Sequence, residues 1–277
     1  MPLMYYFNKY VARIINIILR FHNVENIFVT AISHKGYSVR KNITYEELKE
    51  RSFMVPINKC ISWHGFGYGS NGWHPFVETL KDYNNKRIED YKSSILKNFY
   101  DNFSVEKYYN IICNNKNLDT DIWPIIKYWY KPELIFKNRI RSTYIDFSED
   151  KQQKQYQRTI DTFLSIEKYG YQPETFTNGS VRDGFVNVVL IKKNYSYRYI
   201  VINGQHRLSA LSVLGYNYVS ATFEPINQYV PIIIDLDNIS NWPLIKNDYF
   251  STNDVTRIFK SLFDGWGEEK AKRIGII

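Results

Sequence analysis

One segment, residues 199–215, changes its hydrophobic period halfway along and constrains the fold more than any other part of the chain. It reads Tyr199-Ile-Val-Ile-Asn-Gly-Gln-His-Arg-Leu-Ser-Ala-Leu-Ser-Val-Leu-Gly215. The first half is a β-branched run typical of a strand, whereas the second half carries leucines three residues apart, as in a helix. Gly204 separates the two halves, and Gly215 lies where the helix would end. The pattern predicts a strand, a glycine turn and a helix.

The first turn of this predicted helix suits an anion. The backbone N–H groups of Gln205, His206 and Arg207 would lack intrahelical acceptors and would lie at the positive end of the helix dipole. Gly204 would let a ligand approach the backbone beside Asn203, Arg207 can bind two phosphate oxygens, and His206 can exchange a proton near neutral pH. The alternative is that Gly204 only turns the chain, while His206 and Arg207 face solvent or a carboxylate.

Two stretches of the sequence resemble a known family. Gly204-Gln-His-Arg207-Leu-Ser-Ala210 resembles the Gly-x-x-Arg-x-x-Ala box of the ParB/sulfiredoxin superfamily. Upstream, Ser165-Ile-Glu-Lys-Tyr-Gly170-Tyr-Gln-Pro173 resembles the Ser-Ile-x-x-x-Gly-x-x-Gln-Pro stretch of ParB N-terminal domains, with one residue fewer between Gly and Gln. The order of elements agrees as well: a helix ending at Gly170, a strand near 186–192, and then the box. The resemblance covers about residues 139–235. It implies an α+β fold, a ParB/sulfiredoxin-like small mixed sheet with flanking helices.

The resemblance also implies a function. This fold includes nucleotide-binding switches and free-amino-acid kinases with a similar His-Arg box, so nucleotide or diphosphate binding is expected at Gly204 to Arg207. Sulfiredoxin chemistry needs a cysteine immediately before the His-Arg pair. Gln205 occupies that position here, so the resemblance does not carry sulfinic acid reduction. The chain also looks loosely like the ParB-like proteins of surface-polysaccharide gene clusters.

The leading hypothesis is therefore a transferase that uses a phosphorylated donor. Its best specific form is transfer of a phosphoribosyl or other phospho-sugar unit to a glycan or lipid-linked acceptor in surface-polysaccharide synthesis. Arg207 and the backbone amides would stabilise charge on the departing oxygens, and His206, His74 or His64 would be the catalytic base. The alternatives are a nucleotide-dependent small-molecule kinase, a ParB-like nucleic-acid-binding regulator or nuclease, and a binding protein without catalysis.

Composition limits the partners without choosing among them. The chain has 277 residues, a formal net charge of +8, 24 Tyr and 17 Phe. A positive charge favours phosphorylated or polyanionic partners, or an anionic membrane surface. Nucleic acid is the weaker choice, because the basic residues are scattered and no second helical pair is indicated after Ala221. The two cysteines, Cys60 and Cys113, form no metal or disulfide pattern, so a cytoplasmic location is the default.

The N-terminal part of the chain differs from the rest in composition. Residues 1–130 predict a mostly helical, aromatic-rich extension, and residues 131–277 the phosphate-binding core with a C-terminal helix. Val11 to Phe21 is apolar but too short to span a bilayer. With its basic neighbours, it could instead form an interfacial helix at the inner face of the membrane, or pack on the body of the protein.

A glycine-rich loop, residues 60–75, holds His64 and His74 together with Trp63 and Trp73. Its four glycines predict a loop that either moves or turns tightly, of the kind that carries binding residues. The histidines could meet a phosphate or transfer a proton, and a tryptophan could stack on a ring. The alternative is an aromatic loop packed over the sheet. Because Pro75 suits a first helical turn, His74 is predicted at a second helix N-terminus.

Two further pairs of residues are candidates for the site. Arg139 and Arg141 alternate, so on a strand they would share one face and could bind the far end of a phosphorylated ligand; a solvated face is the alternative. Asp235 and Asp237 follow an apolar run, where carboxylates could hold magnesium for a phosphate-rich ligand, or simply form a turn. Between these pairs, residues 156–169 predict an amphipathic helix whose buried side holds Ile160, Phe163, Leu164 and Ile166.

Overall fold

The computed structural model describes residues 52–103, 148–173, 184–223, 233–246, 251–264 and 267–277, all within one compact unit, Asn42–Ile277. The strands are β1 (Phe53–Pro56), β2 (Cys60–Ile61), β3 (Val186–Lys193), β4 (Ser196–Asn203), β5 (Tyr218–Phe223) and β6 (Ile233–Asp235). The helices are α1 (Pro75–Asn84), α2 (Ile95–Asn102), α3 (Glu149–Tyr169), α4 (Gln205–Val213), α5 (Pro243–Lys246), α6 (Thr252–Phe263) and α7 (Glu268–Ile274).

The strands form one mixed sheet with β3 at its centre. The order is β1-β5-β3-β4-β2, and β6 pairs with β3 beyond the end of β5. β3 and β4 are antiparallel, whereas β5 and β6 both run parallel to β3. Val186 to Ile191 are buried at every position, without the alternation of a half-exposed strand. Such a run is expected where both faces of a strand are covered. The small mixed sheet with flanking helices confirms the predicted α+β class.

Helices cover the sheet and contact one another beside it. Helix α6 packs on an apolar surface, with its side chains and those of the strands enclosing a residual cavity of about 20 Å³. The residues around that cavity are Ile191, Ile200, Ile234, Trp242, Val255, Ile258, Phe259 and Leu262. Helices α1 and α3 both pack against α4, and α2 packs against α1. The N-terminal turn of α4 is therefore held between the sheet and two other helices.

Helix α3 confirms most of the predicted amphipathic pattern and corrects one residue of it. Ile160, Phe163 and Ile166 are buried, but Leu164 is 43% exposed, so its predicted burial is wrong. Leu164 lies four residues after Ile160, which is at the edge of the buried arc. Four residues turn a helix through a full circle plus about 40°, which takes Leu164 away from the core.

The region before residue 104 contributes strands as well as helices. β1 pairs with β5 and β2 pairs with β4, so the chain ahead of α1 supplies both outer strands of the main path through the sheet. These strands have four and two residues, too few for a clear alternating pattern. The predicted boundary near residue 130 and the apolar N-terminal segment lie outside the described residues and stay predictions. Among the helices that the structure describes, none is both long and apolar enough to cross a bilayer.

Candidate functional site

The predicted strand, glycine turn and helix form the centre of the site. β4 ends at Asn203, α4 begins at Gln205, and Gly204 between them has φ 93° and ψ 20°, a left-handed conformation. A Cβ on Gly204 would lie 3.1 Å from Val186 Cγ2 and 3.2 Å from Arg207 Nη2. Glycine is therefore required twice here, for the backbone angle and for the space. The first helical turn closes through the amide of Leu208, which donates to the Gly204 carbonyl at 2.9 Å.

A cleft of about 760 Å³ opens in front of this turn. Its walls are the end of β4, the first turn of α4, the outer face of α3, the segment that follows α3, and Trp63 from the glycine-rich loop. Asn203, Gly204, Gln205, His206 and Arg207 all line it, so the structure brings this part of the predicted set together. Gly204 is itself largely buried in the wall, and its neighbours present most of the accessible surface.

Arg207 is fixed at the cleft by a hydrogen bond to the backbone. One Nη1–H donates to the carbonyl oxygen of Gly184, which also accepts from the Tyr171 hydroxyl at 3.3 Å. Gly184 and Tyr171 line the same cleft. This carbonyl orients the guanidinium, and the positive charge of Arg207 acts within the cleft, where it lowers the pKa of His206.

A second guanidinium, that of Arg158, lines the cleft from α3. Burial lowers the pKa of His206, and the nearby positive charges of Arg158 and Arg207 lower it further. The positive charges of both arginines therefore act at the ring of His206. Arg158 is not among the site residues predicted from the sequence, which considered only the buried side of this helix. Gln155, Arg158, Thr162 and Ser165 recur at helical spacing on the cleft side of α3, and that polar stripe was the available signal.

His206 links α3 to α4 and is neutral. Its Nε2–H donates to Gln155 Oε1 at 3.0 Å, which leaves Nδ1 to accept from the Thr159 hydroxyl at 2.8 Å. Burial is the main reason that its pKa falls from 6.5 to about 3. In this arrangement both ring nitrogens are engaged, so His206 would act on a ligand only by exchanging its Gln155 contact for one with the ligand.

The other two histidines predicted as site residues, His64 and His74, do not line the cleft. His74 is the N-cap of α1, where Nδ1 accepts from the Phe76 amide at 3.2 Å, as its predicted position requires. Its ring stacks on Tyr68 with centroids 4.1 Å apart, and burial lowers its pKa to about 3. His64 lies edge-on to Phe103 at 4.4 Å, and burial holds its pKa well below the usual value. Trp63 alone from this part of the glycine-rich loop lines the cleft.

The predicted magnesium ligands lie at the far end of the sheet. Asp235 is paired in register with Lys192, whereas Asn187 is paired with Asn203 next to the glycine turn. That separation is about 17 Å along β3, at about 3.3 Å per residue. Lys192 Nζ donates to Asp235 Oδ2 at 3.0 Å and to Asp237 Oδ2 at 3.2 Å. These carboxylates therefore do not fit a magnesium ion that bridges the phosphates of a ligand at Gly204.

Arg139 and Arg141 lie outside the described residues, so their predicted contact with a ligand stays a prediction. Within the part of the chain that the structure describes, no group of three or more His, Cys, Asp or Glu residues is placed to hold a metal ion.

The α+β fold therefore has a cleft that is lined by a helix N-terminus, by the guanidinium groups of Arg158 and Arg207, and by Asp161. Comparisons with family models, with curated proteins and with solved structures find no match to this chain. The resemblance to the ParB/sulfiredoxin superfamily therefore depends on the two stretches quoted above and stays a prediction.

Proposed function

We propose that the cleft binds a phosphorylated donor and that the protein is a transferase acting on that donor. The observation that carries the proposal is the convergence of Arg158, Arg207 and the first turn of α4 on one cleft. The volume of about 760 Å³ is in the range of small-molecule sites, typically about 300–1,000 Å³. Two guanidinium groups and a helix N-terminus are the groups that proteins use to bind phosphate.

The same groups suit the chemistry of phosphoryl or pyrophosphate departure. Negative charge grows on the leaving oxygens in the transition state, and fixed donors that are already oriented stabilise it without reorganisation. Arg207 is oriented in advance by the Gly184 carbonyl. Arg158 lines the same cleft from α3. His206 is the one candidate base whose ring reaches the cleft. To accept a proton there, it would exchange its Gln155 contact for a ligand atom and carry its own proton on Nδ1, against the Thr159 hydroxyl.

Aromatic residues in the same cleft favour a second candidate, a nucleotide-dependent small-molecule kinase. Trp63, Tyr169 and Tyr171 line the cleft together with the two arginines. Aromatic rings bind flat ring systems by stacking, and a nucleoside triphosphate carries both a ring and phosphates. A donor with a nucleobase would contact the aromatic side of the cleft, whereas phosphoribosyl diphosphate would contact only the cationic side.

The finer form of the proposal concerns the acceptor. We propose phosphoribosyl or other phospho-sugar transfer to a glycan or lipid-linked acceptor in surface-polysaccharide synthesis, with the protein in the cytoplasm or at the inner face of the membrane. Its support is the loose likeness to ParB-like proteins of polysaccharide gene clusters and the formal charge of +8. The remaining alternative is a ParB-like regulator or nuclease that binds nucleic acid, for which the same charge is the support.

A thermal-shift screen tests the class of ligand. The full chain is melted with phosphoribosyl diphosphate, ATP, ADP or CTP, each with and without magnesium, and with mixed-sequence DNA. A ligand at a hundred times its Kd stabilises by about 2.7 kcal/mol, which corresponds to several degrees in a chain of this size. We expect at least one phosphorylated donor to do so. Stabilisation by DNA alone, lost steeply with added salt, would replace the transferase by the regulator.

A further inference from the structure

A second, smaller cavity lies against the glycine-rich loop. Its volume is about 130 Å³, and it shares no lining residue with the cleft. Three glycines form one wall, Gly67, Gly69 and Gly72, and Asn58 and Asn71 add two amide side chains. The space holds only a few water molecules at about 30 Å³ each, far less than a nucleotide or a sugar phosphate needs.

The glycine wall is built from tightly packed backbone. A Cβ on Gly72 would lie 2.6 Å from the Gly67 carbonyl oxygen, and one on Gly69 would lie 2.6 Å from Asn58 Cα. The Gly72 amide also donates to the Gly69 carbonyl at 2.8 Å. Of the two behaviours predicted for this loop, the structure has the tight turn. Because the wall carries no side chains, a ligand in the cavity lies next to peptide groups.

The remaining wall of the cavity is cationic. Lys59 and Arg198 both line it, and no acidic residue of the described chain does. Lys59 Nζ lies 5.3 Å from the centroid of the Tyr197 ring, and the Arg198 guanidinium carbon lies 5.9 Å from that of Phe263. Cation–π contacts orient a cation without neutralising it. The carboxylate of Asp264 also acts on Arg198, and it accepts hydrogen bonds from Lys193.

A third basic residue, Lys270, lies near Arg198. Lys270 Nζ donates to the carbonyl oxygens of Ser261 and His64, so it lies beneath the start of the glycine-rich loop. Burial is the main reason that the pKa of Lys270 falls to about 7, and the charge of Arg198 contributes to the shift. Arg198 is therefore close enough to Lys270 to act on its charge.

We propose that this cavity is a second oxyanion site, in which Lys59 and Arg198 bind one tetrahedral group against the glycine wall. The group is either free inorganic phosphate or the terminal phosphoryl group of a larger ligand that extends into solvent. The exposed side chains of Asn58 and Asn71 lie at its opening. The residues of this oxyanion site do not line the cleft, so the proposal does not depend on the function proposed for the cleft.

Calorimetric titration of the full chain tests this site, and an Arg207→Ala background separates it from the cleft. In that background we expect saturable binding of inorganic phosphate, weakened at least tenfold by Lys59→Ala. Asn71→Asp places a carboxylate at the cavity without changing the size of the side chain, and it should weaken phosphate binding at least as much. Asn253→Asp is the matched control, because it adds the same charge at the start of α6, about 15 Å along the helix from Phe263.

Ribose 5-phosphate distinguishes the two sources of the bound group. Binding as tight as that of inorganic phosphate, with the same loss in Lys59→Ala, assigns the site to terminal phosphoryl groups, whereas binding of inorganic phosphate alone assigns it to the free ion. The proposal is wrong if phosphate does not bind saturably in the Arg207→Ala protein. It is also wrong if the phosphate affinity is the same in Lys59→Ala and Asn71→Asp as in their background.

Discussion

Gly204 holds the junction of β4 and α4 in a conformation that a side chain would disturb. We expect Gly204→Ala to lower the free energy of unfolding by at least about 2 kcal/mol. The left-handed angle costs an alanine about 1 kcal/mol, and the contacts with Val186 add to it. The measurement is urea unfolding followed by circular dichroism.

Gly215 provides the matched control for that substitution. It also has a positive φ, 77°, but a Cβ there would meet nothing within 4 Å. Gly215→Ala should therefore cost only the backbone term, about 1 kcal/mol. If the two substitutions cost the same free energy, the close packing of Gly204 against Val186 has no energetic weight.

At the scale of single residues, the sequence predicts what is local. Gly204 and Arg207 could be predicted because their roles are recognisable from the neighbouring residues alone. Gly204 lies where the hydrophobic period changes, and Arg207 lies in the first turn of the predicted helix. Arg158 was missed because the cleft that it lines is formed by the packing of α3 on α4. His64 and His74 were candidates because of their residue type, and the structure gives them the roles of a core ring and a helix cap.

At the scale of elements, α3 and α4 are joined by a buried polar contact. Thr159 is fully buried, and its hydroxyl lies 2.8 Å from His206 Nδ1. We expect Thr159→Val to destabilise the fold by about 1–3 kcal/mol, because the buried Nδ1 loses its hydrogen-bond donor. Thermal or urea unfolding measures the loss.

Thr162 on the same helix is the control for Thr159. Its hydroxyl donates to the carbonyl oxygen of Arg158, four residues earlier, at 2.7 Å, and its side chain lines the cleft. Thr162→Val should change the free energy of unfolding by less than about 0.5 kcal/mol. Equal losses for both variants would mean that the contact with His206 adds nothing to helix packing.

The elements with a long periodic pattern were predicted, and the short ones were not. The strand at 186–192 and the helix at 156–169 are each long enough to show a period, and each is present. β1 and β2 are set by pairing with strands more than 130 residues later in the chain. That pairing is tertiary, so four and two residues of local sequence contain little sign of it.

At the scale of the whole molecule, three buried histidines make the fold sensitive to acid. Burial lowers the pKa of His74 and of His206 from 6.5 to about 3, and that of His64 falls well below 6.5. Between pH 3 and 6.5 the unfolded chain therefore binds protons that the folded protein does not. Stability should rise with pH through this window, by up to about 1.4 kcal/mol per pH unit for each histidine.

Melting curves between pH 7.5 and 5 test this sensitivity. We expect the melting temperature to fall as the pH drops below 6.5. Asn is a good N-cap, so His74→Asn should keep the start of α1 while removing one titrating group, and the fall should become shallower. A melting temperature that is constant from pH 7.5 to 5 would show that these histidines titrate equally in the folded and unfolded states.

The net charge of +8 predicted anionic partners but could not locate their sites. Position in the fold decides where charge acts. Lys272 and Arg273 pair with glutamates on the surface of α7, whereas Arg158 and Arg207 converge on the large cleft. The same folding carries Asp235 and Asp237 away from it, to Lys192 at the opposite end of β3. The net charge of the sequence does not distinguish charged residues that are paired on the surface from those that line the cleft.

The central claim is that Arg207 and the turn beside it bind phosphate, and calorimetric titration of the most stabilising donor from the thermal-shift screen tests it most directly. Arg87→Ala is the control, because Arg87 is an exposed arginine that pairs with Asp82 and does not line the cleft. We expect Arg207→Ala to raise the Kd at least tenfold, or about 1.4 kcal/mol, and Arg87→Ala to leave it unchanged. An Arg207→Ala protein that stays folded and binds the donor with the Kd of the natural chain would contradict the claim.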